Sequence, residues 1–345
     1  MRPLVSVIIV NHNGIEFVDN CLRSVLESRY PDFEVIVVDN ASRDGSLEYI
    51  KKTFGSDPRL RLVENPGSFG PAVGRNQGAR IAKGKHLIFF DNDTQVDKNC
   101  INELVVVLEN DASIGAGQAK LLQWDNPNFY DCAGDYLGPL GFLIERSRGQ
   151  EDIGQFDYVS DILSAKSAAS IIRRDLFERI GGFDGDFYMY LEETDLSWRV
   201  WLSGYRVVFV PKSVVHHAYG TKKKSQSKYY PNYIVRYYGY RNYISTLIKN
   251  LSLINIIKIM PLHLSCWLVL SMMFLFKLKF RDFFWIQKAI LWNITRLGLL
   301  LKKKALINCK IRKVKDSQIM AKIMKNTSLS YYFGKAVSYI YGRPY

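Results

Sequence analysis

Short apolar runs and amphipathic stretches alternate from residue 4 to residue 91, and this alternation is the strongest constraint on the fold. The apolar runs are typical of buried strands, while the stretches between them repeat their apolar residues at helical spacing. Strands that alternate with helices in this way form a mostly parallel sheet with helices on both faces. We therefore predict an α/β fold with a mostly parallel or mixed sheet. The first predicted strands cover 4–10, 34–39, 60–63 and 86–90.

Acidic side chains stand at the carboxyl ends of two predicted strands. Asp39 ends the second strand, and Asp91 and Asp93 follow the fourth. In open α/β sheets, the carboxyl ends of the strands border the crevice in which ligands bind. Carboxylates in that position suit Mg²⁺ or Mn²⁺, and a carboxylate such as Asp39 can also accept hydrogen bonds from a nucleobase. The structural alternative for each of them is a helix cap or a local turn.

A second group of ionisable residues lies in the middle of the chain. Glu192, Glu193 and Asp195 fall within the first turn of one predicted helix, whose N-terminus stabilises negative charge. His216 and His217 follow the next predicted strand, where a neutral imidazole could complete a metal site. Taken alone, each acid is more typical of a solvated helix start, and one histidine is more typical of a core residue. Their common position at the ends of alternating elements favours a single active site.

Charge divides the chain into two parts. Residues 1–211 carry 22 Lys and Arg against 31 Asp and Glu, a net charge of −9. Residues 212–345 carry 25 Lys and Arg against 2 Asp, a net charge of +23. Such asymmetry indicates an anionic partner for the second part, either a membrane surface or a nucleic acid. We predict one domain over 1–221 and a basic, largely helical C-terminal region over 222–345.

The C-terminal region contains an uncharged apolar stretch at 259–276. As a helix it would be about 27 Å long, against a hydrocarbon core of about 30 Å, and Pro261 weakens it further as a span. Beyond it, basic residues recur through an otherwise apolar predicted helix at 281–303, a pattern typical of an element lying in the membrane interface. We expect this region to associate with the cytoplasmic face of the cell membrane, as a peripheral, monotopic or single-span element. The alternative is a helical subdomain packed on the first domain.

The five cysteines show no metal-binding spacing, and their odd number argues against a disulfide framework. Both observations are typical of a protein from a reducing compartment. The residues before the first predicted strand are too few for a leader, so a cleavable signal peptide is not expected.

Seven segments, in their order along the chain, form one specific pattern. They are Val5-Ser6-Val7-Ile8-Ile9-Val10-Asn11, Val38-Asp39-Asn40-Ala41-Ser42-Arg43-Asp44-Gly45-Ser46, Arg75-Asn76-Gln77-Gly78, Asp91-Asn92-Asp93, Gly181-Gly182-Phe183-Asp184, Tyr190-Leu191-Glu192-Glu193-Thr194-Asp195 and Gly204-Tyr205-Arg206-Val207. Together they resemble family 2 glycosyltransferases over residues 4–220, and the most similar subgroup is the rhamnosyltransferase-like enzymes of surface-polysaccharide assembly. The resemblance implies a type A glycosyltransferase fold, a nucleotide-diphosphate sugar donor such as a UDP- or dTDP-sugar, and inversion at the anomeric carbon.

The resemblance also implies roles for individual residues. Asp39 would hold the base of the donor, and Asp93, with Asp91 nearby, would hold Mg²⁺ or Mn²⁺ on the diphosphate. His217 would ligate the metal or contact the diphosphate. Glu193 would be the general base, although family members commonly carry Asp there, so that either Glu192 or Glu193 could face the acceptor. The acid group is completed by Asp195, and the remaining donor-binding positions are Val10, Asn11, Asn40, Gly70, Arg75, Asn76 and Asn92.

The expected reaction is one direct displacement that needs a single base and no protein nucleophile. The Gln-x-x-Arg-Trp motif of processive synthases is absent from the sequence, so we expect a non-processive enzyme. The expected acceptor is a glycan or a polyprenyl-diphosphate-linked glycan, with polyprenyl phosphate itself as the alternative.

Two other functions are weaker interpretations of the sequence. A nucleotidyltransferase would carry a glycine-rich basic loop after its first strand, where this chain has Asn11-His12-Asn13-Gly14. A nucleic-acid-binding protein would interleave aromatic and basic residues on a soluble surface, as 229–243 partly does. The stretch 259–276 is too apolar for such a surface, so we expect no nucleic-acid partner.

Overall fold

The computed structural model describes residues 2–218 and 232–341. The predicted domain boundary at residue 221, the lysines at 222–224 and part of the stretch 229–243 therefore lie outside the described residues.

The strands of the described chain lie between residues 5 and 217 and number twelve. They are β1 (Val5–Asn11), β2 (Phe33–Asp39), β3 (Leu60–Glu64), β4 (His86–Asp91), β5 (Thr94–Val96), β6 (Ile114–Gln123), β7 (Tyr130–Cys132), β8 (Asp135–Leu137), β9 (Leu143–Glu145), β10 (Ser160–Asp161), β11 (Ala169–Arg173) and β12 (Arg206–His217).

One mixed sheet forms the centre of this part of the chain, in the order β10-β12-β6-β11-β4-β1-β2-β3. The strands β3, β2, β1 and β4 are parallel neighbours, whereas β11 runs antiparallel to both β4 and β6. The short strands β5 and β7 pair with β12 and β6, and β8 and β9 form a separate hairpin. The predicted α/β fold with a mostly parallel or mixed sheet is confirmed.

Helices cover both faces of the sheet, which explains why its central strands are continuous apolar runs. On one face, the buried side chains of β1 pack with α1, α2 and α4, and on the other with α3, α5 and α6. Gly78 allows α3 to approach β1 closely, since a Cβ atom there would lie 2.6 Å from Ile8 Cγ2. These helices are α1 (Val18–Leu26), α2 (Ser46–Phe54), α3 (Gly70–Ile81), α4 (Cys100–Asn110), α5 (Arg174–Arg179) and α6 (Glu192–Leu202).

The strand β12 is longer than the sequence predicted. It continues past 206–210 through a register shift between Val210 and Val214 and ends at His217. Both histidines therefore lie within a strand rather than after one, because the shift restores pairing with β6 and β5.

Six further α-helices and one short π-helix (Ile307–Ile311) lie in the described C-terminal region. The apolar stretch belongs to one 24-residue helix that contains Pro261. The prediction of a single helix at 281–303 is wrong, because the chain breaks at Arg296 (φ −102°), close to Gly298. The helices are α7 (Asn232–Asn250), α8 (Leu253–Phe276), α9 (Phe280–Thr295), α10 (Leu297–Leu306), α11 (Asp316–Ile323) and α12 (Leu329–Tyr341).

These helices pack against the sheet domain. Leu247 of α7, Leu251 just after that helix and Ile259 of α8 are buried in the same apolar cluster as Leu87 and Phe89 of β4. A second cluster joins α7, α8 and α9 to one another. The described part of the C-terminal region thus shares a core with the domain that carries the acidic motifs.

Candidate active site

The register of the parallel strands brings the first group of predicted site residues together. Asn11 at the end of β1 pairs with Asp39 at the end of β2, and Val10 pairs with Asp91 at the end of β4. All of these ends lie at one edge of the sheet, as expected for a ligand crevice. Asn92, one residue further, donates from its side chain to Asn11 Oδ1 at 2.9 Å.

Asp39 organises the loop that follows β2. Its side chain is fully buried. Asp39 Oδ1 accepts hydrogen bonds from Asn11 Nδ2 at 2.8 Å and Ser42 Oγ at 2.5 Å, and its Oδ2 accepts from Ser42 N at 2.9 Å. Asn11 Nδ2 also reaches Ser46 Oγ at 2.9 Å. The carboxylate therefore shapes the loop from within, and its contact with a base stays a prediction.

Asn40 connects this loop to the start of α3. Its Nδ2 donates to Gly70 O at 3.2 Å, and its Oδ1 accepts from Asn65 Nδ2 at 2.8 Å. Gly70 has φ +80°, and a Cβ atom there would lie 2.6 Å from Tyr188 O. Glycine is required at this position both by the positive φ and by the close backbone approach.

The structure brings Asp91, Asp93 and His217 together, with one potential ligand atom from each within 4.8 Å of the others. His217 reaches this place because it pairs with Thr94 of β5. Its Nδ1 lies 2.8 Å from Asp131 Oδ2, and its Nε2 lies 3.5 Å from Asp93 Oδ1. A carboxylate on one ring nitrogen commonly orients the other nitrogen toward a metal.

The electrostatics of this group suit a divalent cation. Burial lowers the pKa of His217, but the carboxylates of Asp93 and Asp131 outweigh it and raise that pKa to about 10. The same negative charge is what Mg²⁺ or Mn²⁺ would neutralise, and two carboxylates with one imidazole form an acceptable ligand set for Mn²⁺. The predicted metal residues thus fit the predicted metal. His216 pairs with Gln95 instead and is not part of the group.

Arg75 links this group to the acids of α6. Its side chain is 4% exposed, and it donates from Nη2 to Asp91 Oδ1 and from Nη1 to Glu192 Oε1, each at 2.7 Å. The sequence placed Arg75 among donor-binding residues without indicating these partners. Of the two glutamates in the first turn of α6, Arg75 therefore binds Glu192, and no ion pair between Arg75 and Glu193 is found among the described contacts.

Glu193 has the properties expected of a general base. Burial, and secondarily the negative charge of Glu192, raise the pKa of Glu193 to about 7, while Lys166 and Arg75 oppose the shift. Lys166 Nζ lies 4.0 Å from Glu193 Oε1 and 2.9 Å from Asp135 Oδ2. The Glu193 side chain retains 14% exposure, so a small group can reach it. A carboxyl with a pKa near the working pH accepts protons efficiently.

Two predicted site residues, Asp195 and Asn76, bind other elements of the fold. Asp195 is fully buried, and its carboxylate binds Arg199 at 2.8 Å and Lys249 at 2.8 Å. Asn76 binds the backbone of Phe183 with both ends of its amide, at 2.8 and 2.9 Å. These contacts hold the surrounding elements in place, and a direct role of either residue in the site stays a prediction.

Sequence reasoning missed Asp131, Asp135 and Lys166. They come from a part of the chain without clear periodicity, where strands of three residues alternate with turns. A Lys or Asp in such a segment carries no signal until the fold places it beside a histidine or a glutamate.

The model of the family described as Glycosyl transferase family 2 matches residues 6–181, just over half of the 345 residues. The chain belongs to glycosyl transferase family 2. The matched range of this family 2 chain includes Asp39, Asp91 and Asp93 and ends before Glu193.

Curated relatives of this family 2 chain include two bacterial proteins. The O-antigen biosynthesis protein RfbC of Myxococcus xanthus is 28% identical over 253 residues, which cover 70% of this chain and 19% of that protein. Glycosyltransferase GlyG of Streptococcus pneumoniae serotype 4 is 26% identical over 215 residues, which cover 61% of this chain and 69% of that protein. The chain therefore spans about a fifth of the length of the first relative.

Solved structures show the same fold. GalNAc-T7, solved with UDP, GalNAc and Mn²⁺, matches with a TM-score of 0.59 at 20% identity, covering 85% of this chain and 57% of that one. The mannosyltransferase PcManGT from Pyrobaculum calidifontis, solved with GDP-Man and Mn²⁺, matches with a TM-score of 0.56 at 19% identity, covering 100% and 89%. This family 2 chain therefore has the type A glycosyltransferase fold, with a helical C-terminal region.

Proposed function

We propose that the protein is an inverting, metal-dependent and non-processive glycosyltransferase that moves a sugar from a nucleotide-diphosphate donor to a hydroxyl group. The observation that carries this proposal is the Arg75 bridge, which joins the Asp91 end of the candidate metal group to the acids of α6. A metal-held diphosphate and a base for the acceptor are the two requirements of such a transfer, and Arg75 links the elements that would supply them.

On the donor side, Asp93, Asp91 and His217 would hold Mg²⁺ or Mn²⁺. When bound, the cation would neutralise the charge that develops on the leaving diphosphate. Asp131 orients His217 for this task through its 2.8 Å contact with Nδ1. The loop shaped by Asp39 lies at the same edge of the sheet and would take the nucleoside.

On the acceptor side, Glu193 would take the proton of the attacking hydroxyl. Its raised pKa makes it a stronger base than an ordinary carboxylate while leaving it largely ionised at slightly alkaline pH. A single displacement of this kind inverts the anomeric carbon. Lys166, 4.0 Å away, would limit how far the pKa of Glu193 rises.

We propose a role in the assembly of a cell-surface polysaccharide, with a glycan or a polyprenyl-diphosphate-linked glycan as acceptor. The support is the similarity to a relative whose name refers to O-antigen biosynthesis. Polyprenyl phosphate is the alternative acceptor. As donors we propose UDP- and dTDP-sugars, including dTDP-rhamnose, and these are the first to test.

The C-terminal region would bring the active site to the cytoplasmic face of the membrane. Among the described helices, α8 is the one long and apolar enough to cross a bilayer by length and composition, and a third of its apolar window is buried in the protein. His263 and Trp267 of α8 face the protein, whereas Phe276 is 79% exposed. A helix that packs on the catalytic domain along one side is better suited to lie in the interface than to span it. The basic charge would favour anionic lipid.

The test of the proposed function is a donor screen on purified full-length protein. UDP-, dTDP- and GDP-sugars would be supplied with Mn²⁺ and with three acceptors, namely a glycan, a polyprenyl-diphosphate-linked glycan and polyprenyl phosphate. Release of nucleoside diphosphate would be measured. We expect release from one nucleotide class that EDTA abolishes. Release from none of them, with all three acceptor classes present, would reject the proposal.

A further inference from the structure

The segment of residues 184–191 leads into α6 and carries an unusual backbone. Tyr188, Tyr190 and Leu191 have φ values of 62°, 66° and 65°, a backbone conformation that residues other than glycine rarely adopt. Such residues persist only where their surroundings hold them in place. The strained backbone ends directly at Glu192 and Glu193. Its conformation therefore decides where both glutamates point.

The side chain that holds this segment comes from α7. Asn242 is 1% exposed, and its Nδ2 lies 3.0 Å from Phe187 O, 2.9 Å from Met189 O and 2.8 Å from Tyr190 O. Arg241 Nε donates to Asn242 Oδ1 at 2.8 Å, so the amide can only direct its N–H groups to these carbonyls. One side chain thus fixes three backbone carbonyls around the strained residues.

Arg241 and Lys249 of α7 extend this attachment to both ends of the segment. Arg241 Nη2 donates to Asp186 O at 2.6 Å and to Phe187 O at 2.9 Å. Lys249 Nζ lies 2.6 Å from Asp184 Oδ2 and 2.8 Å from Asp195 Oδ1. The segment and the first turn of α6 are therefore tied to one helix of the C-terminal region.

The segment also contacts the start of α3. Tyr188 O packs against Gly70, and the ring of Tyr188 stacks on Tyr238 of α7 with centroids 5.1 Å apart. The segment is therefore held between α3 and α7, and its carboxyl end leads directly to the candidate base.

We propose that Asn242 and Arg241 are positioning residues for sugar transfer, which hold the 184–191 segment in the conformation that presents Glu193 to the acceptor. This inference rests on the function proposed above. It assigns to the C-terminal region a part in turnover that is separate from membrane attachment. A misplacement of about 1 Å at a reacting group can cost about 100-fold in rate, so loss of these hydrogen bonds should lower kcat more than it changes KM.

The test compares two buried asparagines in the full-length protein. Asn242→Ala removes the contacts to the segment, whereas Asn293→Ala removes a similar asparagine, 3% exposed, that binds Arg241 O and Ala289 O within the helices. We expect Asn242→Ala to lower kcat about 100-fold with the donor KM little changed, and Asn293→Ala to retain most of its activity. Arg241→Lys keeps the positive charge but loses the hydrogen bond to Asn242, so it should give a smaller decrease in kcat. It replaces Asn242→Ala as the test variant if Asn242→Ala does not fold.

Hydrogen–deuterium exchange of residues 186–194 gives a readout independent of activity. Exchange should be faster in Asn242→Ala than in the wild type or Asn293→Ala. Equal kcat values for the two alanine variants, a change confined to KM, or unchanged exchange would each overturn the inference. An inactive wild type would instead reject the proposed function, and the exchange comparison would still decide whether Asn242 holds the segment.

Discussion

Arg75 and Glu192, 117 positions apart in the sequence, form a buried ion pair with Nη1 and Oε1 at 2.7 Å. The other terminal nitrogen of the same guanidinium binds Asp91 Oδ1 at 2.7 Å. A planar guanidinium can hold two carboxylates in a fixed geometry, which the point charge of a lysine cannot. The pair therefore fixes the distance between the metal side and the base side of the candidate site.

Replacing Arg75 with methionine should destabilise the protein and abolish transfer. Two carboxylates, one of them 4% exposed, would remain without their cation, and breaking a buried pair in this way typically costs about 3–5 kcal/mol. Thermal and denaturant unfolding would measure the loss. The control is Arg23→Met, whose partner Asp19 is on the surface and whose pair contributes about 0–1 kcal/mol. Equal stability losses in both variants would contradict the bridging role of Arg75.

Asp131 should tune the metal affinity without binding the metal itself. Asp131→Asn weakens the contact that orients His217, and loss of such a partner typically costs about 10- to 100-fold in metal affinity. Mn²⁺ titration followed by electron paramagnetic resonance would measure it, with Asp93→Asn as the variant that should lose the site. Asp32→Asn, exposed and at the opposite end of β2, is the control. An unchanged Mn²⁺ affinity in Asp131→Asn would show that His217 is not a ligand.

Glu193→Gln should make the protein more stable above neutral pH. The pKa of Glu193 is raised from 4.5 to about 7 on folding, so the folded state resists its ionisation. The resulting penalty is absent below the unfolded value, grows between the two values and is constant above about pH 7. A shift of this size corresponds to a penalty of about 3–3.5 kcal/mol. The gain in unfolding free energy should therefore appear at pH 8 and vanish near pH 4.5; equal gains at both would contradict the raised pKa.

Exposed aromatic residues of the C-terminal helices should contribute to membrane binding. Phe276 is 79% and Phe284 64% exposed, and burying such a side chain is worth about 1.5–3 kcal/mol. Changing either to serine should weaken binding to vesicles that contain anionic lipid by about tenfold or more, as measured by flotation. Ile153→Ser, at a residue 78% exposed on the catalytic domain, is the matched control. If all three variants float equally, these helices are not the membrane-binding surface.

These point changes are preferable to a truncation, because the C-terminal region is part of the core. Leu247, Leu251 and Ile323 are buried against the catalytic domain. Removing the residues after about 246 would expose that core and release Asp195 from Lys249. The sequence alone suggested a separable attachment, since basic residues between apolar ones are compatible with either a lipid surface or a packed helix.

The parallel half of the fold could be predicted because its signals are local. Each strand is a continuous apolar run, and Asp39 and Asp91 end their strands at the predicted places. Because the strands are parallel, the residues at their carboxyl ends lie at the same edge of the sheet, and this follows from the sequence alone.

The remaining site residues depend on long-range pairing that leaves no local signal. His217 reaches Asp93 because β12 passes through a register shift and then pairs with β5. Asn242 and Lys166 acquire their partners through packing alone. The two neighbouring glutamates differ in the same way, because Arg75 binds Glu192, a contact that the sequence does not show.

The most direct test of the account is the turnover of Glu193→Gln, measured as nucleoside diphosphate released per enzyme in the presence of acceptor. We expect the rate to fall about 10²- to 10⁴-fold while the affinity for the nucleotide is retained, because the amide keeps the shape of the side chain and cannot accept a proton. Glu193→Asp should retain far more activity, and the wild-type rate should fall as the pH drops below about 7. A Glu193→Gln enzyme that turns over at the wild-type rate would contradict the assignment of Glu193 as the base.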